Sequence, residues 1–223
     1  MNRLIGLLDV QGPRAAVAIG ASVPLVLRGD VEVASWLPGG GSVSDRLIEQ
    51  VCAMYRIDQE LYDQLESGLD INDFAAGVNE GEDGPSGRGR GQAPAVAEAA
   101  GRLLAAPDGP RIASMELPGW DTHVGQGTVD GRLSHTFAVL ADVLLGMRRG
   151  LGEAWADTVI AVATEFGRTA RPNGDAGTDH GTASVALLAG GAVAGGRVLG
   201  EWPGLAALYQ DRDLAPAIDL RAV

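Results

Sequence analysis

TVIAVATEFGRTARPNGDAGTDHGTASVALLAGG (residues 158–191) is the stretch that decides the expected fold. An apolar segment at 158–164 runs into the acidic residue Glu165, and a second apolar segment follows at 183–189. A short segment rich in Val and Ile that ends abruptly in an acid is typical of a central strand in a parallel sheet. In α/β proteins, functional side chains collect where such strands end. We therefore expect a mostly parallel sheet whose carboxyl edge carries Glu165 and His180.

The rest of the chain alternates between strand and helix patterns. Strand, loop, helix and strand in succession are typical of βαβ units, so we predict an α/β fold. We also predict a single domain over residues 1–223. The pattern predicts strands at 15–20 and 111–117, a hairpin or two short strands over 24–36, helices over 43–69, 93–106 and 132–151, and a flexible loop at 79–92.

Composition and charge exclude several classes of protein. The chain has 223 residues and a formal net charge of −12, which repels phosphate backbones, so we do not expect a nucleic-acid binder. No segment is long and apolar enough for a membrane span, and the N-terminus lacks the features of a signal peptide. As written, the chain is expected to be cytoplasmic, or exported if it is part of a longer signal-bearing protein. The single cysteine, Cys52, lies in a helical pattern and is interpreted as a small core residue rather than a catalytic thiol.

Acidic and imidazole side chains follow the ends of predicted strands. Asp121 and His123 lie in one such loop, and alternate residues of an extended segment can face the same target. Glu165 begins the next loop, and Asp179 and His180 stand side by side between glycines. Two imidazoles with carboxylates suit Zn²⁺ or Mn²⁺, whereas carboxylate-rich sets also suit Mg²⁺ or Ca²⁺. We therefore predict a divalent metal site with the ligands Asp121, His123, Glu165 and His180.

Two other residues are expected beside this metal site. Asp179 is interpreted as a further ligand or as a partner that orients a ligand, and Arg168 is expected in a similar supporting position. Taken singly, a loop Asp or His is more often solvated or caps backbone amides, so the prediction rests on the set as a whole. His135, on the flank of a predicted helix, is interpreted as structural. No G-x-S-x-G motif is present, so the sequence does not indicate a Ser-His-Asp hydrolase.

Four motifs together resemble a bacterial family known as domain of unknown function 1501. Any one of them alone is weak, but the four together are specific, and the resemblance extends across nearly the whole chain. The motifs are GWDTH (119–123), TEFGRT (164–169), GTDHG (177–181) and GGRVLGEWPGL (195–205).

That family resembles a branch of the alkaline phosphatase and sulfatase superfamily, which implies a three-layer α/β/α sandwich with metal at the carboxyl edge of the sheet. The resemblance places Glu165 where an acidic metal ligand stands and His180 where the histidine of a later His-Gly pair stands. Asp121 and His123 are similar to the ligands of an earlier strand. Phe166 occupies the position of a histidine in the superfamily pattern.

The resemblance covers the C-terminal portion of such a protein, because no counterpart of the superfamily's first strand, with its metal-binding Asp and its nucleophile, is found. The implied fold is therefore incomplete, and no catalytic nucleophile is assigned. We expect a metal-dependent hydrolase-like domain of the phosphatase or sulfatase type, acting on a small-molecule or polymer ester. The alternative is a non-catalytic scaffold or an export-linked binding protein with the same fold. An exposed sheet edge would favour a homo-oligomer.

Overall fold

A computed structural model describes four stretches of the chain, residues 1–7, 14–39, 43–79 and 90–219. The chain divides into two compact units, and the single domain expected from sequence stays a prediction. Unit one comprises Met1–Leu117 and Ala141–Glu153, and unit two comprises Pro118–Leu140 and Ala154–Val223. Within the described stretches, no helix has the length and apolar character needed to cross a membrane.

Unit one is built on a three-stranded parallel sheet with the order β2-β1-β3. Its strands are β1 (Ala16–Ile19), β2 (Ala34–Trp36) and β3 (Ile112–Met115). Its helices are α1 (Asn2–Leu7), α2 (Asp45–Tyr55), α3 (Gln59–Val78), α4 (Ala93–Ala105) and the second half of α5 (Arg132–Leu151), with short 3₁₀ turns at Leu25–Leu27 and Arg90–Gln92.

The central strand β1 is buried on both faces, because successive side chains of a strand point to opposite sides. Val17 and Ile19 belong to an apolar cluster whose other buried members come from β2, α3 and α4. Ala16 and Ala18 belong to a second cluster on the other side, together with Ile5 of α1. A parallel sheet covered on both faces by helical segments is the α/β class that the sequence predicts.

The described residues of unit two contain only short strands, which pair in two small antiparallel sheets. The strands are β4 (Ile160–Val162), β5 (Gly167–Arg168), β6 (His180–Gly181) and β7 (Leu187–Ala189). β4 pairs with β7, and β5 pairs with β6. The first half of α5 and a 3₁₀ segment, Gly152–Asp157, complete the regular elements of this part of the chain.

The prediction of a central parallel strand at 158–164 is therefore wrong. The strand is only three residues long, its one partner is antiparallel, and the apolar side chain of Leu188 opposite it is 49% exposed. A short apolar run matches a central parallel strand and an exposed antiparallel one equally well, since the pattern carries no information on the direction of the partner. The expected single sheet is replaced, in the described stretches, by three separate sheets.

Other sequence predictions have mixed outcomes. Of the hairpin or two short strands expected over 24–36, the hairpin and the first strand are wrong, because Leu25–Leu27 forms a 3₁₀ turn and β2 pairs in parallel with β1. The second short strand is found as β2. The helical pattern over 43–69 is confirmed as the pair α2 and α3. The flexible loop predicted at 79–92 lies mainly outside the described residues, apart from Asn79 at the end of α3 and the 3₁₀ turn that begins at 90.

Candidate functional site

Three of the predicted ligands come together in unit two. Asp121 and His123 lie in the irregular loop before α5, and His180 lies on β6. Each offers one ligand atom, and these atoms all lie within 4.8 Å of one another. We call these three residues the Asp–His–His cluster. Its side chains are about half exposed, so the cluster is accessible from solvent.

One carboxylate oxygen lies at the centre of this cluster. Asp121 Oδ1 is 2.9 Å from Nε2 of His123 and 3.0 Å from Nε2 of His180. The same oxygen accepts a hydrogen bond from Nη1 of Arg168. Three nitrogen atoms therefore converge on a single oxygen atom of Asp121.

The surroundings of Asp121 keep its carboxylate ionised. Partial burial by itself would raise the pKa of Asp121, but the hydrogen bonds from Arg168 and His180 and the nearby His123 outweigh burial. The pKa of Asp121 therefore lies below its ordinary value. A carboxylate that is ionised at neutral pH is available as a metal ligand.

His123 has a second carboxylate partner on the other side of its ring. Its Nδ1 lies 3.1 Å from Oδ1 of Asp179. Asn173 Nδ2 donates to that same Asp179 oxygen at 2.9 Å. The hydrogen bond from Asn173, followed by that from His123, holds the pKa of Asp179 below its ordinary value. Asp179 thus takes the orienting position that sequence analysis offered as one of its two roles, next to a ring nitrogen of His123.

Asn173 is a residue that sequence analysis missed. Its Nδ2 also donates to the backbone carbonyl of His123 at 2.9 Å, and its Oδ1 accepts from the backbone N–H groups of Asp175 and Gly177 at 3.0 Å each. The dipeptide Asn-Gly at 173–174 is a sequence signal for a turn. That signal does not indicate the contacts to His123 and Asp179, which depend on distant parts of the chain.

A network of hydrogen bonds through Thr178, Gln126 and Thr122 holds the side chain of Arg168. Its Nε donates to Thr178 Oγ1 at 3.0 Å, and its Nη2 donates to the Thr178 carbonyl oxygen. The hydroxyls of Thr178 and Thr122 both donate to Gln126 Oε1 at 2.7 Å. Both threonines are buried. This network ties the loop that carries Asp121 to the segment that carries His180, and it too was missed from sequence.

Phe166 contacts the site as an aromatic ring. It stacks on the imidazole of His180 with ring centroids 4.1 Å apart and planes 13° from parallel. The ring centroid of His180 is also 5.0 Å from the ring centroid of His123. Arg212 Nη2 donates to the backbone carbonyl of His180 at 2.5 Å. Phe166 therefore fixes the plane of the His180 ring through this stacking contact.

Glu165, the fourth predicted ligand, is not part of the cluster. Its side chain is exposed, and the group of ligand atoms within 4.8 Å of one another does not include it. The chain bends at 165–166 and presents Phe166, rather than Glu165, to His180. The expectation rested on one sheet edge shared by all four residues, and no such shared edge exists in the described part of unit two. His135, interpreted as structural, is exposed on α5.

The nitrogen and oxygen atoms of the Asp–His–His cluster fit a divalent cation. A carboxylate oxygen accepts two hydrogen bonds with its two lone pairs, so Arg168 and the two imidazole Nε2 atoms that approach Asp121 Oδ1 cannot all donate to it. With the Nδ1 proton of His123 facing Asp179, its Nε2 lone pair would face a carboxylate oxygen 2.9 Å away. Two acceptors at this distance repel each other unless a cation or a second imidazole proton lies between them. Asp121, His123 and His180 could therefore hold a metal ion.

Comparison with known proteins gives a family but no function. A family model described as "Protein of unknown function (DUF1501)" matches residues 20–220. No curated protein and no solved structure matches the chain. The match agrees with the family indicated by the four sequence motifs.

Proposed function

The chain belongs to the DUF1501 family, and we propose that it is a metal-dependent hydrolase-like domain of the phosphatase or sulfatase type. The observation that carries this proposal is the Asp–His–His cluster, whose ligand atoms lie within 4.8 Å of one another although they come from separate segments. The resemblance of TEFGRT and GTDHG to metal-binding segments of the alkaline phosphatase and sulfatase superfamily supports the type of reaction.

The ligand chemistry favours zinc or manganese. Two imidazole nitrogens and one carboxylate oxygen are typical ligands of these ions, whereas magnesium and calcium prefer all-oxygen sets. Four-coordinate zinc separates its ligand atoms by roughly 3.3 Å, so the 2.9 and 3.0 Å contacts of Asp121 need to widen only slightly. Three protein ligands leave a coordination position open, as in catalytic zinc sites.

The residues around the cluster bind and orient. A bound divalent cation would supply Lewis acidity, which stabilises negative charge developing on a phosphate or sulfate ester. Arg168 and Arg212 both lie near the carboxylates of Asp121 and Asp179, but Arg212 is itself paired with Asp213. Three carboxylates against two guanidinium groups leave a net negative charge, which attracts a cation. Because the guanidinium of Arg168 is bonded to Asp121 and Thr178, it positions Asp121 rather than binding substrate.

One observation favours the alternative of a non-catalytic scaffold or binding protein. In the part of the chain that the structure describes, no hydroxyl or thiol is hydrogen-bonded to Asp121, His123 or His180. The nearby hydroxyls of Thr122 and Thr178 are buried and bonded to Gln126. A doubly protonated His123 between Asp121 and Asp179 would satisfy the same contacts without a metal.

Metal titration separates the two proposals. We expect the protein, stripped with a chelator, to bind one equivalent of zinc or manganese by calorimetry and elemental analysis. Asp121→Ala and His180→Ala should abolish stoichiometric binding, because each removes one of three ligands. Glu165→Gln and His135→Ala are matched controls that should bind as the unmodified protein does, since neither residue belongs to the cluster.

Turnover is then measured on aryl phosphate and aryl sulfate esters with the loaded protein. Hydrolysis that is lost with the metal supports the hydrolase. Stoichiometric metal without hydrolysis of any ester supports the scaffold. A protein that binds no metal, or Ala variants that still bind one equivalent, would contradict the metal site itself.

A further inference from the structure

We propose that Asn173 is a positioning residue, which acts through Asp179 to hold His123 in the tautomer needed for metal binding. This inference rests on the proposed function, since it concerns a ligand of the proposed metal site. It is carried by the contacts of one side chain with Asp179 and with the backbone of His123.

Every hydrogen-bonding group of the Asn173 side chain is used. An asparagine amide has two N–H donors and an oxygen with two lone pairs. The two donors reach Asp179 Oδ1 and the His123 carbonyl, each at 2.9 Å. The oxygen accepts from the N–H groups of Asp175 and Gly177. One amide group therefore fixes the carboxylate of Asp179 relative to the backbone of His123.

The hydrogen bonds around the two carboxylates select the position of the imidazole proton. Asp179 Oδ1 accepts one hydrogen bond from Asn173, which leaves one lone pair for the Nδ1 proton of His123. Asp121 Oδ1 is already approached by Arg168 and His180. The proton of a neutral His123 is therefore placed on Nδ1, and its Nε2 lone pair faces Asp121 Oδ1, where a bound cation would relieve the repulsion between the two acceptors.

Without the donor of Asn173, the Asp179 carboxylate is free to rotate away from His123. The Nδ1 proton then loses its fixed acceptor, and Nε2 is no longer held free of protons for a metal. Orienting partners of this kind commonly change metal affinity by about 10- to 100-fold when they are removed. The competing explanation is that Asn173 only closes the turn through its oxygen and has no effect on His123.

Nuclear magnetic resonance of the imidazole nitrogens directly measures which ring nitrogen of His123 carries the proton in metal-free protein. Long-range ¹H–¹⁵N spectra of histidine-labelled protein are recorded over a series of pH values, and the tautomer is assigned where the spectra show a single protonated nitrogen in the His123 ring. The signals of His123 are identified by their loss in His123→Gln. We expect protonated Nδ1 in the unmodified protein. Protonated Nε2 there would overturn the inference without the need for any variant.

Two variants complete the test. Asn173→Ser retains a hydroxyl that can accept from the N–H two residues on, but the shorter side chain cannot reach Asp179. We expect the His123 proton to redistribute towards Nε2. Asn72→Ala is the control. This variant also loses a hydrogen bond from an asparagine side chain to a backbone carbonyl, but Asn72 lies on α3 in unit one and should not affect His123. An unchanged His123 tautomer in Asn173→Ser would mean that Asn173 only closes the turn.

Zinc titration of the same proteins distinguishes a failure of the proposed metal-dependent function from a failure of the positioning role of Asn173. We expect Asn173→Ser to bind zinc about 10- to 100-fold more weakly than the unmodified protein. If the unmodified protein binds no zinc, the proposed function fails, and the tautomer still decides the role of Asn173. If zinc binds equally to both proteins and the tautomer is unchanged, the inference fails while the metal site stands.

Discussion

In unit one the buried side chains are almost all apolar, whereas in unit two, among the described residues, they are mainly polar. Unit one buries alanines, valines, isoleucines and leucines around the parallel sheet, including Ile71 and Leu103 at 0% exposure. Unit two buries Leu140 but otherwise small or polar residues, which are Thr122, Thr136, Gly167, Thr169, Gly177, Thr178 and Asp213.

This difference indicates a division of roles. Apolar burial is non-directional and roughly proportional to area, so it stabilises the fold of unit one without specifying the angle of any one side chain. Hydrogen bonds are directional, and a buried polar group without its partner is costly. The polar network of Thr122, Thr178 and Gln126 therefore stabilises a particular geometry, which is the one that holds Asp121 and His180 together.

The largest expected effect on stability is in unit one. Leu103→Ala removes a fully buried side chain and should lower the free energy of unfolding by about 2–5 kcal/mol. Zinc affinity of the folded protein should not change, because Leu103 belongs to the apolar cluster of unit one and not to the Asp–His–His cluster. Urea unfolding and zinc titration measure the two quantities. Ile57→Ala, at a side chain 93% exposed, should leave both within experimental error.

The division of roles would be wrong if Leu103→Ala weakened zinc binding by the folded protein as strongly as it lowers stability. That result would mean that the apolar core of unit one sets the geometry of the Asp–His–His cluster.

An intermediate effect is expected from Gly177→Ala in unit two. A Cβ atom at this position would overlap the backbone carbonyl oxygens of His123 and Thr122. Because backbone atoms cannot rotate away, we expect a loss of about 1–3 kcal/mol in stability, together with weaker zinc binding. Gly174→Ala is the matched control three residues earlier, where a Cβ would meet nothing within 4 Å. Equal behaviour of the two variants by thermal unfolding and zinc titration would contradict the close approach to His123.

The smallest expected effect is at Phe166. Phe166→Leu removes the ring that stacks on His180, and an aromatic pair is worth about 0.5–1.5 kcal/mol beyond its burial. Zinc binding should therefore weaken by about tenfold at most. Phe137→Leu is the control, since Phe137 packs edge-to-face on Trp120 with centroids 4.9 Å apart. If Phe137→Leu weakened zinc binding as much as Phe166→Leu, the effect would be general to unit two and not due to the stacking.

Sequence patterns predicted unit one better than unit two. The strands at 15–20 and 111–117 and the helix at 93–106 are confirmed within a residue or two, because each has its own apolar period and bounding signals. β4 has an equally apolar sequence, yet its partner is the antiparallel β7. The direction and burial of a strand depend on the strand with which it pairs, and the local sequence pattern of one strand does not identify that second strand.

The candidate site was predicted for a reason that is only partly correct. Asp121, His123 and His180 were chosen for their chemistry and their position after predicted strands, and they do lie together. A shared sheet edge is not what brings them together, and Glu165, chosen by the same rule, lies outside the cluster. Asn173 could not be selected from sequence, because its contact with His123 joins residues 50 positions apart.

The amino-acid sequence by itself determined the α/β class, the family and the residue types at the site, since these follow from local periodicity, four short motifs and the chemistry of Asp and His side chains. The tertiary structure decided which of those side chains meet. It placed His180 beside Asp121 and Phe166 against His180, and it left Glu165 exposed. The physical reason is that hydrogen bonds and a ring-stacking contact between distant segments set these positions, and each such contact forms only when both partners are in place.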